Sequence, residues 1–294
     1  DDFITLVKAF DCVADSVELN FSCPHAKKGF GASIGCNIDI ASEYVEKIHN
    51  ATKDRNSLLF IKLTPNVDNI GEIAKRVIEM GADGITAINT VGPDLHIDPI
   101  SGTPILQNAI GGKGGKSGRW VYNRAIECIK EIRASIGDDV PIIGMGGVWS
   151  EKECFEMIEA GADAVGVGSV LGHVRQPNWP EFFASLKKGG QSLLNGKECE
   201  YSSSKYVSPE RQMEYRKHSV ESIKFHSDDT ILLTLTGEVE NFKAGEFVFL
   251  WIPGIGEKPF SLAKTSPLTF IVKKRGAFTS FIFSSLKVGD DIYI

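Results

Sequence analysis

Short apolar runs alternate with helical patterns through the first 190 residues of the chain. Each run is aliphatic or β-branched and is bounded by Gly, Pro or Asp, which is typical of buried parallel strands. The pattern predicts strands at Val17–Phe21, Leu58–Leu63, Gly84–Asn89, Ile142–Met145 and Ala164–Gly168. Amphipathic stretches predict helices near Ser42–Ala51, Asn69–Met80, Trp120–Ser135, Glu151–Ala160 and Pro180–Lys187. This repetition of a strand followed by a helix indicates a barrel or a doubly wound sheet.

Two of the predicted joints between a helix and the next strand have nearly the same sequence. They are Gly81–Gly84, which reads Gly-Ala-Asp-Gly, and Gly161–Ala164, which reads Gly-Ala-Asp-Ala. The glycine ends the helix as a C-cap and the residues after it begin a strand. The joints therefore support a repeated βα unit.

The pattern changes after residue 188. Residues 189–218 are rich in Gly, Ser and charge and predict a linker with at most one short helix. From Ser219 the apolar positions alternate, which predicts strands at Ile231–Thr236, Phe247–Ile252 and Leu268–Val272. We therefore expect a first domain over 1–188, a linker over 189–218 and an all-β domain over 219–294. A strand pattern is still present at Ile294, so we expect the β domain to continue beyond it.

Composition excludes several classes of protein. The hydrophobic fraction is 42%, the charged fraction is 24% and the net charge is -6, without a basic tract, so neither nucleic acid nor a membrane is expected as a partner. The six cysteines are scattered and form no C-x-x-C pair, which favours a reducing cytoplasm over a disulfide framework. The histidines have no metal-ligand spacing, so no metal site is expected.

Polar and glycine-rich segments follow the predicted strands at the end where α/β barrels carry their active sites. Asn20–His25, Lys62–Asn66 and Asn89–Thr90 follow the first three strands, and Gly144–Gly147 and Gly166–Ser169 accompany the last two. Consecutive glycines before a helix expose backbone N–H groups and suit a phosphate. Taken singly, each segment has a structural explanation: a buried cysteine packs as a small apolar residue and glycines make tight turns. Their concentration at one end of five strands predicts a site.

Six segments together resemble the FMN-dependent dihydroorotate dehydrogenases, above all the NAD-linked class. They are Val17–His25, Ile61–Val67, Thr86–Thr90, Pro104–Asn108, Gly114–Gly118 and Ile143–Val148. The resemblance covers residues 1 to about 188 and implies a TIM barrel, (β/α)8, of which this chain holds the C-terminal five strands. Residues 219–294 resemble more weakly the FAD domain of the electron-transfer subunit of that class, a barrel of the flavin-reductase type. The chain would then be a fusion of both, extending beyond the sequence at each end.

The resemblance also implies roles for individual residues. Cys23 would be the catalytic base, Asn20 would contact flavin and pyrimidine, and His25, Asn89 and Thr90 would bind the substrate. The remaining FMN contacts would be Lys62, Ile88, Gly118, Gly146, Gly147, Gly168 and Ser169. The FAD contacts would be Lys258, Pro259, Phe260, Ser261, Lys273 and Thr279, where Lys258 replaces the usual arginine.

The resemblance further implies how electrons leave the site. They would pass from FMN to FAD and then to NAD, and an iron–sulfur cluster is expected only in a segment that lies beyond this sequence. A homo-oligomer is also expected. Since five strands leave open sheet edges, we expect the isolated 294 residues to fold poorly and to hold FMN weakly.

Four functions remain open at this stage. The leading one is oxidation of dihydroorotate to orotate in pyrimidine biosynthesis. The second is reduction of uracil or thymine, because Ser22–His25 ends in histidine as in the related dihydropyrimidine dehydrogenases, where the dihydroorotate enzymes usually have asparagine. The third is an electron-transfer flavoprotein, which Cys23 and Asn89 disfavour. The fourth is a sugar-phosphate barrel enzyme without flavin.

Overall fold

The computed structural model describes residues 2–22, 32–196, 202–209, 215–239, 242–243 and 245–294, without the side chains of residues 32 and 33. The chain divides into two compact units. The first unit comprises Asp1–Asp94 and Gly115–Glu210, and the second comprises Leu95–Gly114 and Arg211–Ile294.

A five-stranded parallel sheet with helices packed against one face forms the first unit. Its strands are β1 (Ser16–Asn20), β2 (Leu58–Lys62), β3 (Gly84–Ala87), β6 (Ile142–Met145) and β7 (Ala164–Gly166), which lie side by side in that order. A separate two-stranded sheet pairs β4 (Val91–Leu95) with β5 (Lys113–Lys116). The helices are α1 (Asp2–Phe10), α2 (Ala32–Gly35), α3 (Ile38–Ala51), α4 (Ile70–Glu79), α5 (Tyr122–Ile136), α6 (Glu151–Glu159) and α7 (Trp179–Leu194). Short 3-10 helices occupy Gly118–Val121, Ser169–His173, Gln176–Asn178 and Ser202–Tyr206.

Alternation along the strands gives the parallel sheet two different faces. On one face, aliphatic side chains such as Leu59, Ile61 and Ile85 are completely buried in the core that the helices cover. On the other face, the register places Asn20 beside Lys62 and Lys62 beside Thr86. The sheet therefore carries a row of three polar side chains on the face opposite the helices.

The two similar joints have the same hydrogen-bond pattern. Oδ2 of Asp83 accepts from the Leu59 N–H at 2.7 Å and from Arg55 Nη2 at 2.6 Å. Oδ2 of Asp163 accepts from the Ile142 N–H at 2.8 Å and from Arg133 Nη2 at 2.6 Å. In both joints the aspartate ties the preceding arginine to the neighbouring strand.

All five strands predicted in the first unit are confirmed, with ends that differ by no more than two residues. Two helix boundaries were wrong. Helix α3 begins at Ile38 because the Asn37 side chain caps it, accepting from the Ile40 N–H at 3.0 Å. Helix α7 continues through Gly189 to Leu194, where a linker was expected. Packing of α7 against α6 offsets the cost of about 1 kcal/mol for each glycine inside a helix. Helix α1 and the β4–β5 pair were not predicted.

An antiparallel sheet of seven strands dominates the second unit. The strands are β8 (Lys217–Ser227), β9 (Thr230–Leu235), β10 (Val248–Ile252), β11 (Gly256–Phe260), β12 (Lys264–Thr265), β13 (Leu268–Lys273) and β14 (Asp291–Tyr293), in the order β11-β10-β14-β8-β9-β13-β12. The three strands predicted there are confirmed as β9, β10 and β13. A short helix that was not predicted, α8 (Ala277–Ser284), follows β13. Its first turn is capped by Thr279, whose hydroxyl accepts from the N–H groups of Arg275 and Gly276 at 2.8 and 3.1 Å.

The described residues contain neither a membrane-spanning helix nor a cluster of metal ligands. No helix in these ranges is both long enough and apolar enough to cross a lipid bilayer. No three His, Cys, Asp or Glu side chains in the same ranges are grouped as metal ligands.

Candidate active site

A cavity of about 240 Å³ opens at the carboxyl ends of β2, β3, β6 and β7. We call it the glycine pocket, and its lining consists of Lys62, Ile88, Asn89, Thr90, Ser117, Gly118, Val121, Met145, Gly146, Gly147, Val148, Gly166, Val167, Gly168 and Ser169. It contains every FMN residue expected in the first domain except Asn20, and it also contains Asn89 and Thr90. Segments far apart in the sequence thus meet at one edge of the sheet, as parallel strands require.

Close packing of α5 against the loop after β6 explains the glycine pair in the pocket. Gly147 has φ +74°, and a Cβ there would lie 2.9 Å from the backbone nitrogen of Tyr122, the first residue of α5. Gly146 has φ +125°, and a Cβ there would lie 3.0 Å from the Cβ of Ala125. Only glycine meets both demands, and this loop lines the cavity.

A hydrogen-bonded chain of polar residues links the ends of β1 and β3. Oδ1 of Asn20 accepts from the N–H and the hydroxyl of Ser22 at 3.0 and 2.8 Å. Nδ2 of Asn89 donates to the carbonyl and the hydroxyl oxygen of Ser22 at 2.8 and 2.9 Å. Oδ1 of Asn89 accepts from the Thr90 N–H at 2.8 Å. The structure therefore brings Asn20, Asn89 and Thr90 together through Ser22, which is 1% exposed.

The same chain leaves specific hydrogen-bonding groups for a ligand. Both N–H groups of the Asn89 amide are used by Ser22, whereas its carbonyl oxygen keeps one lone pair beyond the Thr90 contact. The exposed Asn20 uses its carbonyl oxygen, and its amide nitrogen donates to no residue in the described part of the chain. The pair can thus offer donors from Asn20 and an acceptor from Asn89, which suits a ring edge that carries both kinds of group.

Asn66 supports the loop after β3. Its Nδ2 donates to the Thr90 carbonyl at 3.1 Å, and its Oδ1 accepts from the Gly92 N–H at 2.9 Å. Sequence reasoning assigned no role to Ser22, Asn66 or Thr86. Ser22 and Asn66 lie inside the quoted motifs, so the signal was present, but only the fold shows that they hold other residues. Thr86 is completely buried, and its hydroxyl has no hydrogen-bond partner among the described residues.

Cys23 and His25 lie outside the described residues, so their predicted roles stay predictions. Cys36 is a further cysteine in the sequence after β1, and desolvation raises its pKa. Burial raises the pKa of Cys128 to about 11 and that of Cys154 to about 12. These three thiols are harder to ionise than a free cysteine, which disfavours each of them as a base at neutral pH.

The second unit has its own cavity of about 680 Å³. Two of the six expected FAD residues, Lys258 and Thr279, line it, together with Arg275 and Gly276 at the start of α8. Pro259, Phe260, Ser261 and Lys273 do not belong to its described lining. Phe260 packs against Phe270 in the core of the sheet, and Lys273 pairs with Asp229 at 3.2 Å.

The family model for dihydroorotate dehydrogenase matches residues 1–187. Among curated proteins, the catalytic subunit of dihydroorotate dehydrogenase B (NAD(+)) from Methanothermobacter thermautotrophicus is 36% identical over 194 residues, which are 66% of this chain and 60% of that protein. The subunit of the same name from Methanosarcina mazei is 44% identical over 184 residues, 62% of this chain and 54% of that protein. The chain thus spans little more than half the length of these relatives.

A solved structure shows the same fold as the first unit. It is a dihydroorotate dehydrogenase from Eimeria tenella in complex with ferulenol, with a TM-score of 0.52 and 20% identity, and the match covers 70% of this chain and 58% of that one. The fold is therefore of the α/β-barrel type, represented here by a five-stranded parallel sheet. Since the family model covers well over half of the 294 residues, the chain belongs to the dihydroorotate dehydrogenase family.

Proposed function

We propose that this chain is the catalytic part of an NAD-linked dihydroorotate dehydrogenase, which oxidises dihydroorotate to orotate with FMN bound in the glycine pocket. The observation that carries the proposal is the joining of Asn20, Ser22, Asn89 and Thr90 beside a pocket that contains Lys62 and the glycine loops. A phosphate site alone would suit many barrel enzymes. The amide pair beside it is what a pyrimidine ring needs.

The residues present fit FMN. Gly168 lines the cavity, and a Cβ there would meet no atom within 4 Å, so a phosphate has room to approach the backbone of this loop. Lys62 lines the same cavity from β2 and supplies positive charge. Neighbouring Ile88 gives the cavity an apolar wall against which a planar ring can pack. Family membership agrees with this, because dihydroorotate dehydrogenases are flavin-dependent.

Oxidation of dihydroorotate removes a proton from C5 and a hydride from C6 of the ring. Bound FMN supplies the hydride acceptor. The N–H donors of Asn20 and the free lone pair of Asn89 orient the pyrimidine, and their hydrogen bonds to Ser22 fix that orientation. The Lys62 ammonium stabilises negative charge that develops in the pocket. Cys23 follows Ser22 directly in the sequence, so the anchored Ser22 holds one end of the segment that carries the proposed base.

For the second unit we propose a site for FAD, within a β domain over residues 219–294 that follows the barrel domain over 1–188. Lys258 and Arg275 supply two positive charges to a cavity that also reaches the start of α8, and this combination suits a diphosphate. Electrons would then pass from FMN to FAD and on to NAD. Pro259, Phe260, Ser261 and Lys273 would support this site from outside the described lining.

A ligand titration tests the proposal. Orotate added to the FMN-loaded protein should shift the visible flavin spectrum, and uracil should not. Asn20→Ala should weaken orotate binding about tenfold through the lost hydrogen bonds, whereas Asn195→Ala, at the end of α7, should bind it normally. A shift with uracil alone would favour the dihydropyrimidine reaction. No shift with either pyrimidine would leave only an electron-transfer function.

A further inference from the structure

Trp149 is a buried aromatic residue directly after the glycine pocket. It follows the lining residue Val148 and is 3% exposed. Its ring packs in a cluster with Val170, Phe182 and Leu186. Its Nε1–H group has no hydrogen-bond partner in the described part of the chain. Within the described residues the indole is therefore held by the contacts of its ring.

Three loops that line the glycine pocket meet at this ring. Trp149 itself belongs to the loop after β6. The Arg119 guanidinium carbon lies 4.6 Å from the centre of the indole, and Arg119 follows the lining residue Gly118. The His173 ring lies 4.9 Å from the indole, centre to centre, and ends the 3-10 helix that begins at Ser169.

Gly118 also lies near the indole. A Cβ on Gly118 would lie 4.0 Å from Cζ2 of Trp149 and 3.9 Å from the Cβ of Ser169. The indole thus contacts Arg119 and His173 and lies close to Gly118, although Trp149 is not part of the described lining. Loss of the ring would remove the shared contact of the three loops at once.

We propose that Trp149 is a positioning residue for the phosphate of the ligand, acting through the three loops and through Arg119. The ring fixes the separation of the loops, and its π-face holds the guanidinium of Arg119, the residue after the lining residue Gly118. The charge of Arg119 then favours a phosphate dianion over a neutral hydroxyl at the same place. This inference rests on the proposed binding of FMN in the glycine pocket.

A purely structural role for Trp149 predicts something different. A core tryptophan that only stabilises the fold should, when replaced, lower the melting temperature and weaken all ligands equally. The positioning role predicts loss of the preference for a phosphorylated ligand. FMN and riboflavin separate the two, because they share the ring system and differ in the phosphate.

The experiment measures the affinities of FMN and riboflavin by quenching of flavin fluorescence in the whole chain. Wild type should prefer FMN. Trp149→Leu and Arg119→Gln should each reduce the ratio of the two affinities about tenfold, the value of one charge-assisted hydrogen bond. Arg119→Lys should keep part of the preference, because it retains the charge and loses the planar stack. The matched control is Trp120→Leu, because Trp120 lies next to Arg119 in the 3-10 helix Gly118–Val121 and is 81% exposed. This variant should keep the wild-type ratio of the two affinities.

Each outcome decides the matter. An unchanged ratio in Arg119→Gln and in a folded Trp149→Leu or Trp149→Phe protein would overturn the inference. If Trp149→Leu does not fold, the exposed Arg119 variants still test it. If wild type binds inorganic phosphate, detected by tryptophan emission, but not FMN, the proposed function fails and the phosphate arm still tests Trp149. Binding of neither overturns both.

Discussion

The side-chain amide of Asn89 donates both of its hydrogen atoms to Ser22, one to the carbonyl oxygen at 2.8 Å and one to the hydroxyl at 2.9 Å. These bonds connect the end of β3 to the residue that precedes Cys23. The geometry of the expected substrate site therefore depends on a serine whose own side chain is almost fully buried.

Ser22→Ala should raise the KM for dihydroorotate about tenfold and leave FMN affinity near that of wild type, because Asn20 and Asn89 each lose a buried partner worth about 1–2 kcal/mol. Steady-state kinetics and a flavin titration measure the two effects. Ser185→Ala, which removes a hydroxyl on α7, is the control and should change neither value. If Ser22→Ala weakened FMN binding by the same factor as it raised the KM, Ser22 would support the whole site and not the substrate contacts alone.

Gly147→Ala should destabilise the protein by more than about 2 kcal/mol and abolish FMN binding, since it combines a left-handed backbone with a collision against the backbone of α5. Thermal unfolding and flavin titration check this. Gly172→Ala is the matched control, because a Cβ there meets no atom within 4 Å and it lies in the neighbouring 3-10 helix. Normal FMN binding by Gly147→Ala would contradict the assignment of the pocket.

Thr86→Val should leave stability unchanged or raise it slightly, because the hydroxyl that it removes is buried and has no hydrogen-bond partner among the described residues. Thr52→Val removes a buried hydroxyl that donates to the Ile48 carbonyl at 2.7 Å, so this control should lose about 1 kcal/mol. Denaturant unfolding of the two variants gives the comparison. A larger loss for Thr86→Val than for Thr52→Val would mean that Thr86 has a hydrogen-bond partner.

The second unit should lose stability in acid partly through Asp229. Hydrogen bonds from Thr230, Ser227 and Lys273 lower the pKa of this carboxyl to about 2, from about 3.9 in an unfolded chain. A lowered pKa contributes stability that is complete above the unfolded value and is lost as the pH falls through the folded value. Asp229→Asn should therefore unfold more easily than wild type at neutral pH, and the difference should vanish below about pH 2. A difference that persists there would assign the effect to packing.

The sequence predicted the sheet of the first unit well because five apolar runs with β-branched residues match buried parallel strands. It also predicted most of the glycine pocket, since positive-φ glycines and polar strand ends are local signals. It did not predict helix α7 beyond Lys187, because Gly189 and Gly190 lower helix propensity and only the packing against α6 compensates.

Supporting residues were harder to predict than contact residues. Ser22 and Trp149 act on segments far from them in the sequence, and no local pattern encodes such a contact. The expected FAD residues of the second unit were difficult to predict for a different reason. Lys258 and Thr279 reach the cavity, whereas Lys273 pairs with Asp229, because alternation along β13 and the start of α8 decides which residues face it.

We propose that this site oxidises dihydroorotate with Cys23 as the base. The most direct test is the anaerobic reduction of bound FMN by dihydroorotate in a stopped-flow instrument, with wild type, Cys23→Ser and Cys36→Ser compared. In wild type and Cys36→Ser, dihydroorotate should bleach the flavin at similar rates. In Cys23→Ser the bleaching should be slower by about 10²–10⁴, the usual contribution of a general base. This difference in rate should become smaller at high pH. Bleaching of Cys23→Ser at the wild-type rate, or no bleaching of wild type by dihydroorotate, would contradict this mechanism.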